Sequence, residues 1–416
     1  MAANSGSLSP TWVAVPGGLT APDGFQASGI TAGLKASGKP DLSLLLAPEG
    51  AVCAGTFTTS VVRAACVDLC IERLQRRGGQ VRAVLTNSGQ ANACTGDRGL
   101  IDSRRATQAL ADRLGLTAEE VLICSTGVIG VPIPMDTLLA GIDPLASALS
   151  GDGGAAAATA ILTTDLIDKQ IALEANLGGR RVRIGGMAKG SGMIHPDMAT
   201  MLGYLTCDAA VPAEQWQALV QRAVQRSFNA ITVDGDTSTN DSFLAFAAGA
   251  PLPPDQLAAL EEGVTQVAQH LARAIARDGE GATCLIDVRV DGAASEAEAQ
   301  RIARTVCGSS LVKTAIHGRD PNWGRIIAAA GRAGVHFDPE TVALWLGEHQ
   351  LMAAGQPLPF DRPAASRYLR ERAAGAYLQD DSVRIRLRVG DGPGQGQAWG
   401  CDLSDQYVRI NADYTT

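Results

Sequence analysis

The sequence is poor in aromatic residues, has no excess of basic residues, and contains no long hydrophobic run. Phe, Trp and Tyr make up 4% of its 416 residues, and the formal net charge is −8 with a pI near 5.2. Nucleic-acid and anionic-membrane partners usually require basic clusters, so this balance argues against both. No apolar segment reaches the roughly 18 residues that a membrane-spanning helix needs.

Cysteine is present, but without a pattern that would indicate a metal site or a disulfide framework. The nine cysteines are odd in number and scattered, and none forms a Cys-x-x-Cys pair. The first ten residues, MAANSGSLSP, have neither a basic start nor an apolar core, so they lack the features of a secretion signal. We therefore expect mostly buried thiols, no bound metal and a cytoplasmic location.

Strand-like and helical segments alternate along the chain without a steady strand–helix–strand rhythm. A hairpin is predicted where IALEANL and RRVRIGGMA flank a Gly-Gly turn, and VRIRLRV at 383–389 predicts a half-buried strand. Thr117 and Glu120 match a capping box and predict the start of a helix. Other helices are predicted at 101–115, 154–162, 212–227, 254–277, 295–306 and 363–374. We predict an α+β fold, with helices layered on antiparallel sheets in two lobes.

The most informative segment is KGSGMIHPDMATML, residues 189–202, where a glycine-rich loop leads into an apolar strand. The Thr200 hydroxyl can attack the carbonyl of the small Ala199, shift the acyl chain from nitrogen to oxygen, and let water hydrolyse the ester. The resulting free α-amine of Thr200, with a pKa of about 7.7–8.0, can serve as general base for its own hydroxyl. On spacing alone, however, a threonine at the start of a buried strand is usually only a β-branched strand former.

This segment resembles the processing site of the ornithine acetyltransferases, also called bifunctional glutamate N-acetyltransferases. The resemblance spans nearly the whole chain and covers, in order, TNSGQANACTG (86–96), STGVIG (125–130), TTD (163–165), SFNAITVDGDTSTND (227–241), AIHGRDPNWGR (315–325) and the C-terminal INADYTT. The family implies self-cleavage between Ala199 and Thr200, which divides the chain into residues 1–199 and 200–416. It also implies a heterotetramer with two copies of each chain, and no metal or organic cofactor.

The resemblance also implies roles for individual residues. Thr200 would be the nucleophile, and Thr126 and Gly127 the oxyanion hole, in which each donor typically stabilises a transition state by about 2.7–4 kcal/mol. The implied substrate-binding residues are Thr163, Lys189, Thr200, Glu280, Asn411 and Thr416. An ammonium at Lys189 suits the α-carboxylate of an amino acid, whereas a carboxylate at Glu280 suits the δ-ammonium of ornithine and can assist proton transfer. Without the family, Thr126-Gly127 would be an ordinary turn and the two charged residues ordinary surface groups.

The implied reaction is a ping-pong acetyl transfer. Thr200 takes the acetyl group of N-acetylornithine, ornithine leaves, and glutamate accepts the acetyl group to give N-acetylglutamate. The sequence does not decide whether acetyl-CoA is a second acetyl donor. Two alternatives stay open: a self-processing aminopeptidase or amidase that passes the acyl group to water, and a metabolite-binding protein without catalytic activity.

Two positions depart from the family pattern, and three further features are set aside. Leu166 and Asp197 stand where the family often has threonine and asparagine, which bears on substrate geometry and on the rate of cleavage. VDGDTSTND (233–241) resembles a calcium loop but has neither the glycine nor the glutamate that such a loop requires. GDGPGQG (390–396) opens no helix and is a loop. His195 and His317 have no metal or triad spacing around them, and they are expected either to be structural or to support residues that contact the substrate.

Overall fold

The computed structural model describes residues 11–195 and 201–413 and contains three β-sheets. The four-stranded sheet has the order β2 (Gln26–Ile30), β3 (Leu42–Leu46), β5 (Ala83–Gln90) and β6 (Val121–Val128). The first six-stranded sheet has the order β1 (Val13–Val15), β7 (Lys169–Leu177), β8 (Arg180–Lys189), β9 (Leu202–Ala210), β10 (Ser242–Pro251) and β4 (Val52–Phe57). The second has the order β14 (Gln356–Pro357), β13 (His349–Ala353), β12 (Ala343–Leu346), β15 (Ser382–Arg388), β11 (Leu285–Ala293) and β16 (Gly394–Cys401).

The described helices fall into two groups according to their position in the chain. Those of the N-terminal lobe are α1 (Ala65–Arg77), α2 (Gly96–Leu114), α3 (Met135–Ser147), α4 (Gly154–Ala160), α5 (Ala213–Gln225) and α6 (Leu257–Arg277). Those that follow are α7 (Glu296–Cys307), α8 (Ser310–His317), α9 (Trp323–Gly331), α10 (Arg362–Ala373) and α11 (Asp405–Asp413). Within the described residues, no helix combines the length and the apolar character that a membrane span requires.

The N-terminal lobe consists of four layers in the order helix, sheet, sheet, helix. The four-stranded sheet and the first six-stranded sheet stack face to face through apolar side chains such as Val84 and Leu122 on one side and Tyr204 and Phe246 on the other. Helices α1, α2 and α3 bury their apolar faces against the outer side of the four-stranded sheet. Helices α5 and α6 do the same on the outer side of the six-stranded sheet. Stacked sheets leave the strand ends open at the edges, where loops from several strands meet.

The C-terminal lobe packs α7 to α10 against the second six-stranded sheet, around a separate apolar core. In β15, Val383, Ile385 and Leu387 are buried, and the arginines between them are exposed. The strand predicted at 383–389 is therefore confirmed, and so is the α+β fold with layered helices. In each sheet one neighbouring pair runs parallel, and the other described pairs are antiparallel.

One local prediction was wrong, and one predicted helix is present but begins earlier than expected. The capping box at Thr117 and Glu120 exists, but it encloses only a 3-10 turn at Ala118–Glu120, after which β6 begins. The apolar residues that follow are buried in the middle of the sheet, and this tertiary burial overrides the local helix signal. The helix predicted at 101–115 is α2, which begins five residues earlier, after Thr95.

The lobes do not divide at the predicted cleavage point. Strand β8 lies before Thr200 in the chain and pairs with β9 after it, and β4 likewise pairs with β10. Two chains ending and beginning at that point would therefore share one sheet. The division into 1–199 and 200–416 stays a prediction about the covalent chain.

Candidate active site

A cavity of about 130 Å³ lies at one edge of the stacked sheets, where segments from seven parts of the chain meet. Six predicted site residues line it: Thr126, Gly127, Thr163, Lys189, Glu280 and Asn411. Ala199, Thr200 and Thr416 lie outside the described residues, as does Asp197. The structure thus brings together every predicted site residue that it describes, although their roles stay predictions.

Gly127 lies near the end of β6, where only glycine fits. Its φ of +130° falls in the left-handed region, and a Cβ there would lie 2.3 Å from the carbonyl carbon of Gly89 on β5. The parallel pairing of Gly89 with Gly127 brings the two backbones this close. The glycine therefore holds the end of β6 against β5 and places Thr126 on the cavity wall.

Lys189 ends β8 and is buried, with 7% of its surface exposed. Its Nζ lies 3.4 Å from the Thr126 Oγ1, the one hydrogen bond of this ammonium to a described residue. Burial lowers the pKa of Lys189 below its ordinary value, and Asp165, Asp241 and Glu280 oppose that shift. A buried ammonium on a cavity wall is suited to binding a carboxylate.

Glu280 and Asn411 meet across the opposite wall. The Asn411 Nδ2 donates to the Glu280 Oε2 at 2.7 Å, which connects α11 to the loop that follows α6. Gly192 faces the same carboxylate, and a Cβ at position 192 would lie 2.7 Å from its atoms. The Glu280 carboxylate therefore occupies its position only because residue 192 has no side chain.

A fully buried ion cluster supports three of the cavity-lining segments. The Lys169 Nζ lies 2.8 Å from the Asp165 Oδ1 and 2.6 Å from the Asp278 Oδ2. Asp165 also accepts hydrogen bonds from the backbone N–H of Thr163 at 3.0 Å and of Gly190 at 2.6 Å. We call Asp165, Lys169 and Asp278 the brace, because they link the Thr163 loop, the end of β8 and the segment before Glu280.

The charges of the brace respond differently to burial. Burial opposes ionisation of Asp165, but Lys189 and Lys169 outweigh it and hold the pKa of this carboxyl below its ordinary value. Burial raises the pKa of Asp278, with Lys169 opposing the rise. Asp165 therefore carries the firm negative charge of the cluster and lies next to the cavity's ammonium group.

The segment before β10 contributes wall residues to which sequence reasoning gave no role. Ser238, Thr239 and Asn240 line the cavity, and the Asn240 Nδ2 donates to the Ser125 carbonyl at 2.9 Å. The Asp241 Oδ1 accepts the backbone N–H of Met201 at 3.0 Å, and burial raises the pKa of this carboxyl well above its ordinary value. The segment belongs to the SFNAITVDGDTSTND motif, so the signal was present in the sequence without an assigned function.

His195, His317 and Leu166 do not line the cavity, whereas the segment 233–241, which was set aside as a calcium loop, contributes three residues to its wall. The His317 Nδ1 lies 2.8 Å from the Asp402 Oδ2, and the His195 Nδ1 lies 3.1 Å from the Thr232 Oγ1. Leu166 is 81% exposed, and its backbone N–H donates to Asp278 at 3.0 Å, so its side chain does not alter the cavity. Among residues 11–195 and 201–413, no group of three His, Cys, Asp or Glu side chains is placed to hold a metal ion.

A family model and known relatives of this chain both point to the same family. The model of the ArgJ family matches residues 26–416. The arginine biosynthesis bifunctional protein ArgJ of Prochlorococcus marinus (strain MIT 9313) is 74% identical over 412 residues, which cover 99% of this chain and 96% of that protein. The protein of the same name from Parasynechococcus marenigrum (strain WH8102) is 73% identical over 410 residues, which cover 99% of this chain and 98% of that protein.

Two solved structures are similar to parts of the chain. The arginine biosynthesis bifunctional protein from Bacillus halodurans is 42% identical and covers 52% of this chain and 100% of its own, with a TM-score of 0.48. The ornithine acetyltransferase from Mycobacterium tuberculosis, solved in complex with ornithine, is 41% identical. It covers 46% of this chain and 100% of its own, with a TM-score of 0.42.

Proposed function

We propose that this chain, which belongs to the ArgJ family, transfers acetyl from N-acetylornithine to glutamate through an acetyl group carried on Thr200. Membership in the family confirms the resemblance found in the motifs and makes the chain an acyltransferase. One observation carries the finer proposal. A single cavity contains a threonine-glycine pair, a buried ammonium and a carboxylate, which are the groups that oxyanion stabilisation and recognition of an amino acid with a second amine require.

Self-cleavage is the first step of the proposal. The Thr200 hydroxyl attacks the Ala199 carbonyl carbon, and the C–N bond breaks to give an ester and a free α-amine on Thr200. Water then hydrolyses the ester, which releases the Ala199 carboxylate and restores the Thr200 hydroxyl. Asp241 supports this step, because it holds the N–H of Met201 and thereby anchors the residue bonded to Thr200. Leu202, the first residue of β9, pairs with Lys189, so β9 begins next to the residue that supplies the ammonium group of the cavity. After cleavage, the shared sheet keeps the two chains together.

Acetyl transfer follows with the same groups. The Thr200 hydroxyl attacks the acetyl carbonyl, its proton passes to the α-amine, and the developing oxyanion is stabilised by the Thr126 hydroxyl and the Gly127 N–H. The proton then moves to the leaving α-nitrogen of ornithine, whose carboxylate pairs with Lys189 and whose δ-ammonium pairs with Glu280. Glutamate attacks the acetyl-threonine in turn, and N-acetylglutamate leaves.

The proposed function also includes the cofactors, the assembly and the cellular location. The scheme uses no metal or organic cofactor, and acetyl-CoA, where it is used, would acetylate the same Thr200. The assembly is a heterotetramer with two copies of each chain, and the substrate-binding set includes Thr163, Asn411 and Thr416. A cytoplasmic location agrees with the cysteines, all nine of which are free thiols.

A transfer assay tests the proposed function. The purified protein is incubated with acetyl-labelled N-acetylornithine, with and without glutamate, and the labelled products are separated. We expect labelled N-acetylglutamate to form only when glutamate is present. Labelled free acetate as the main product would instead establish the hydrolase alternative. Binding of ornithine without turnover would establish the non-catalytic one.

Placing a methyl group at position 192 is expected to weaken substrate binding through Glu280. Gly192→Ala would displace the Glu280 carboxylate, because the new Cβ would contact it, and we expect KM for N-acetylornithine to rise roughly tenfold. Steady-state kinetics of a double-mutant cycle checks the cause. In a Glu280→Ala background the alanine at 192 meets no carboxylate, so it should add little. Full additivity of the two changes would contradict this role for Gly192.

The lowered pKa of Lys189 predicts how ligand binding depends on pH. The ammonium loses its proton at a lower pH than an ordinary lysine, so carboxylate binding should weaken above that pH. The binding of N-acetylglutamate, which has no amine to titrate, can be measured by calorimetry on an uncleaved Thr200→Ala variant. With Lys189→Arg added, the charge persists and the pH dependence should disappear. An unchanged profile in that double variant would show that another group titrates.

A further inference from the structure

A second and larger cavity, of about 710 Å³, lies between the two lobes. Its wall is formed by β7 and α6 of the N-terminal lobe and by β11, β15, β16 and α10 of the C-terminal lobe. None of its lining residues belongs to the wall of the candidate active site. The volume falls within the range of roughly 300–1,000 Å³ typical of small-molecule sites.

The wall is rich in guanidinium groups from separate elements. They are Arg273 on α6, Arg289 on β11, Arg372 on α10 and Arg384 on β15. Of these four, only Arg289 lies within 4.0 Å of a carboxylate among the described residues, at 3.7 Å from Asp287. Two more acidic side chains line the cavity, Glu348 and Asp380, but neither forms an ion pair with the four arginines within the described part of the chain.

The same wall holds buried hydrogen-bond donors that have no acceptor. Arg273 Nε, Arg372 Nε and Trp399 Nε1 are buried and form no hydrogen bond with a described residue. All three are N–H donors, and buried donors without acceptors are costly and uncommon in folded proteins. Burial and the neighbouring Arg273 also lower the pKa of His270 in this wall, as expected where positive charge is concentrated.

We propose that this cavity is a second binding site, for a small metabolite that carries at least two carboxylate or phosphate groups. Guanidinium groups bind both kinds of anion through paired N–H donors, so the shared chemistry is an anion with several acceptor oxygens. A ligand with two anionic groups matches a wall on which arginines from both lobes converge. Binding would join the lobes, since Arg273 belongs to one and Arg384 to the other.

Calorimetric titration of the full-length protein with citrate and with inorganic pyrophosphate tests this site. We expect at least one probe to bind, and Arg273→Gln and Arg384→Gln each to weaken it roughly tenfold or more. Arg367→Gln removes an exposed arginine of α10 that does not line the cavity, so it should bind like the wild type. Which probe binds more tightly distinguishes the carboxylate from the phosphate source.

Three results would overturn the proposal. They are no binding of either probe, equal weakening in Arg367→Gln, and competition between the probe and N-acetylornithine, which would place the probe in the other cavity. Arg384 is exposed, so its replacement is expected to leave the fold intact. A thermal unfolding midpoint that the probe raises in the wild type, but not in Arg384→Gln, gives an independent readout.

Discussion

Replacing Lys169 with methionine is expected to lower the free energy of unfolding by about 3–5 kcal/mol, a large part of the total for a typical domain. The change leaves Asp165 and Asp278 buried without the ammonium that lies 2.8 Å from one and 2.6 Å from the other. Urea unfolding followed by circular dichroism measures the loss. Lys39→Met removes an exposed lysine and should change stability by no more than about 0.5 kcal/mol.

The same variant should also lose substrate affinity, because the brace positions the segments that line the site. Without Lys169, Lys189 still interacts with the Asp165 carboxylate, and this interaction would draw its ammonium away from a substrate carboxylate. We expect KM for N-acetylornithine to rise at temperatures where the variant is still folded. If the free energy of unfolding of Lys169→Met equalled that of the wild type, water or a rearranged chain would be compensating the two carboxylates. The brace would then have no structural role.

Replacing Thr126 with valine is expected to reduce kcat by about 10²–10³-fold, the effect typical of removing one oxyanion donor. Valine keeps the branched shape of threonine, so β6 and its pairing with β5 should be retained. The prediction applies to both reactions: self-cleavage before Thr200 should slow along with acetyl transfer, because both pass through a tetrahedral oxyanion.

Thr126→Ser is the matched control, because it retains the hydroxyl and loses only a methyl group. Its kcat should lie much closer to that of the wild type than to that of Thr126→Val. If the serine and valine variants were equally impaired, the loss could not be assigned to the hydroxyl, because the serine retains it. If neither were impaired by as much as tenfold, Thr126 would not stabilise the oxyanion.

The sequence predicted elements well where burial is regular along one strand. In β15 the apolar and arginine residues alternate because one face is buried and the other exposed, and this pattern needs no tertiary information. Prediction from the sequence failed at Thr117, where local capping chemistry favoured a helix but burial in the sheet imposed a strand. The helices α1 and α3 were not predicted from the sequence, because the strands that they pack against lie far away in the chain.

The site was predictable only through the family motifs. Nothing in the spacing of Thr126, Lys189, Glu280 and Asn411 indicates that they meet, because their convergence depends on the sheet stacking. The brace escaped prediction for the same reason, since Lys169 and Asp278 are 109 residues apart. The need for glycine at 192 likewise arises from the carboxylate of a residue on a separate segment.

The intact mass of the denatured protein after incubation with N-acetylornithine tests both self-cleavage and the acetyl-threonine. We expect two chains in place of the single 43.0 kDa chain, corresponding to residues 1–199 and 200–416. The second should begin with Thr200 and carry the mass of one acetyl group, while a Thr200→Ala variant should remain uncut and unacetylated. An uncut and unmodified wild-type chain would contradict the account, because it would have neither the free α-amine nor the acetyl-threonine on which the mechanism depends.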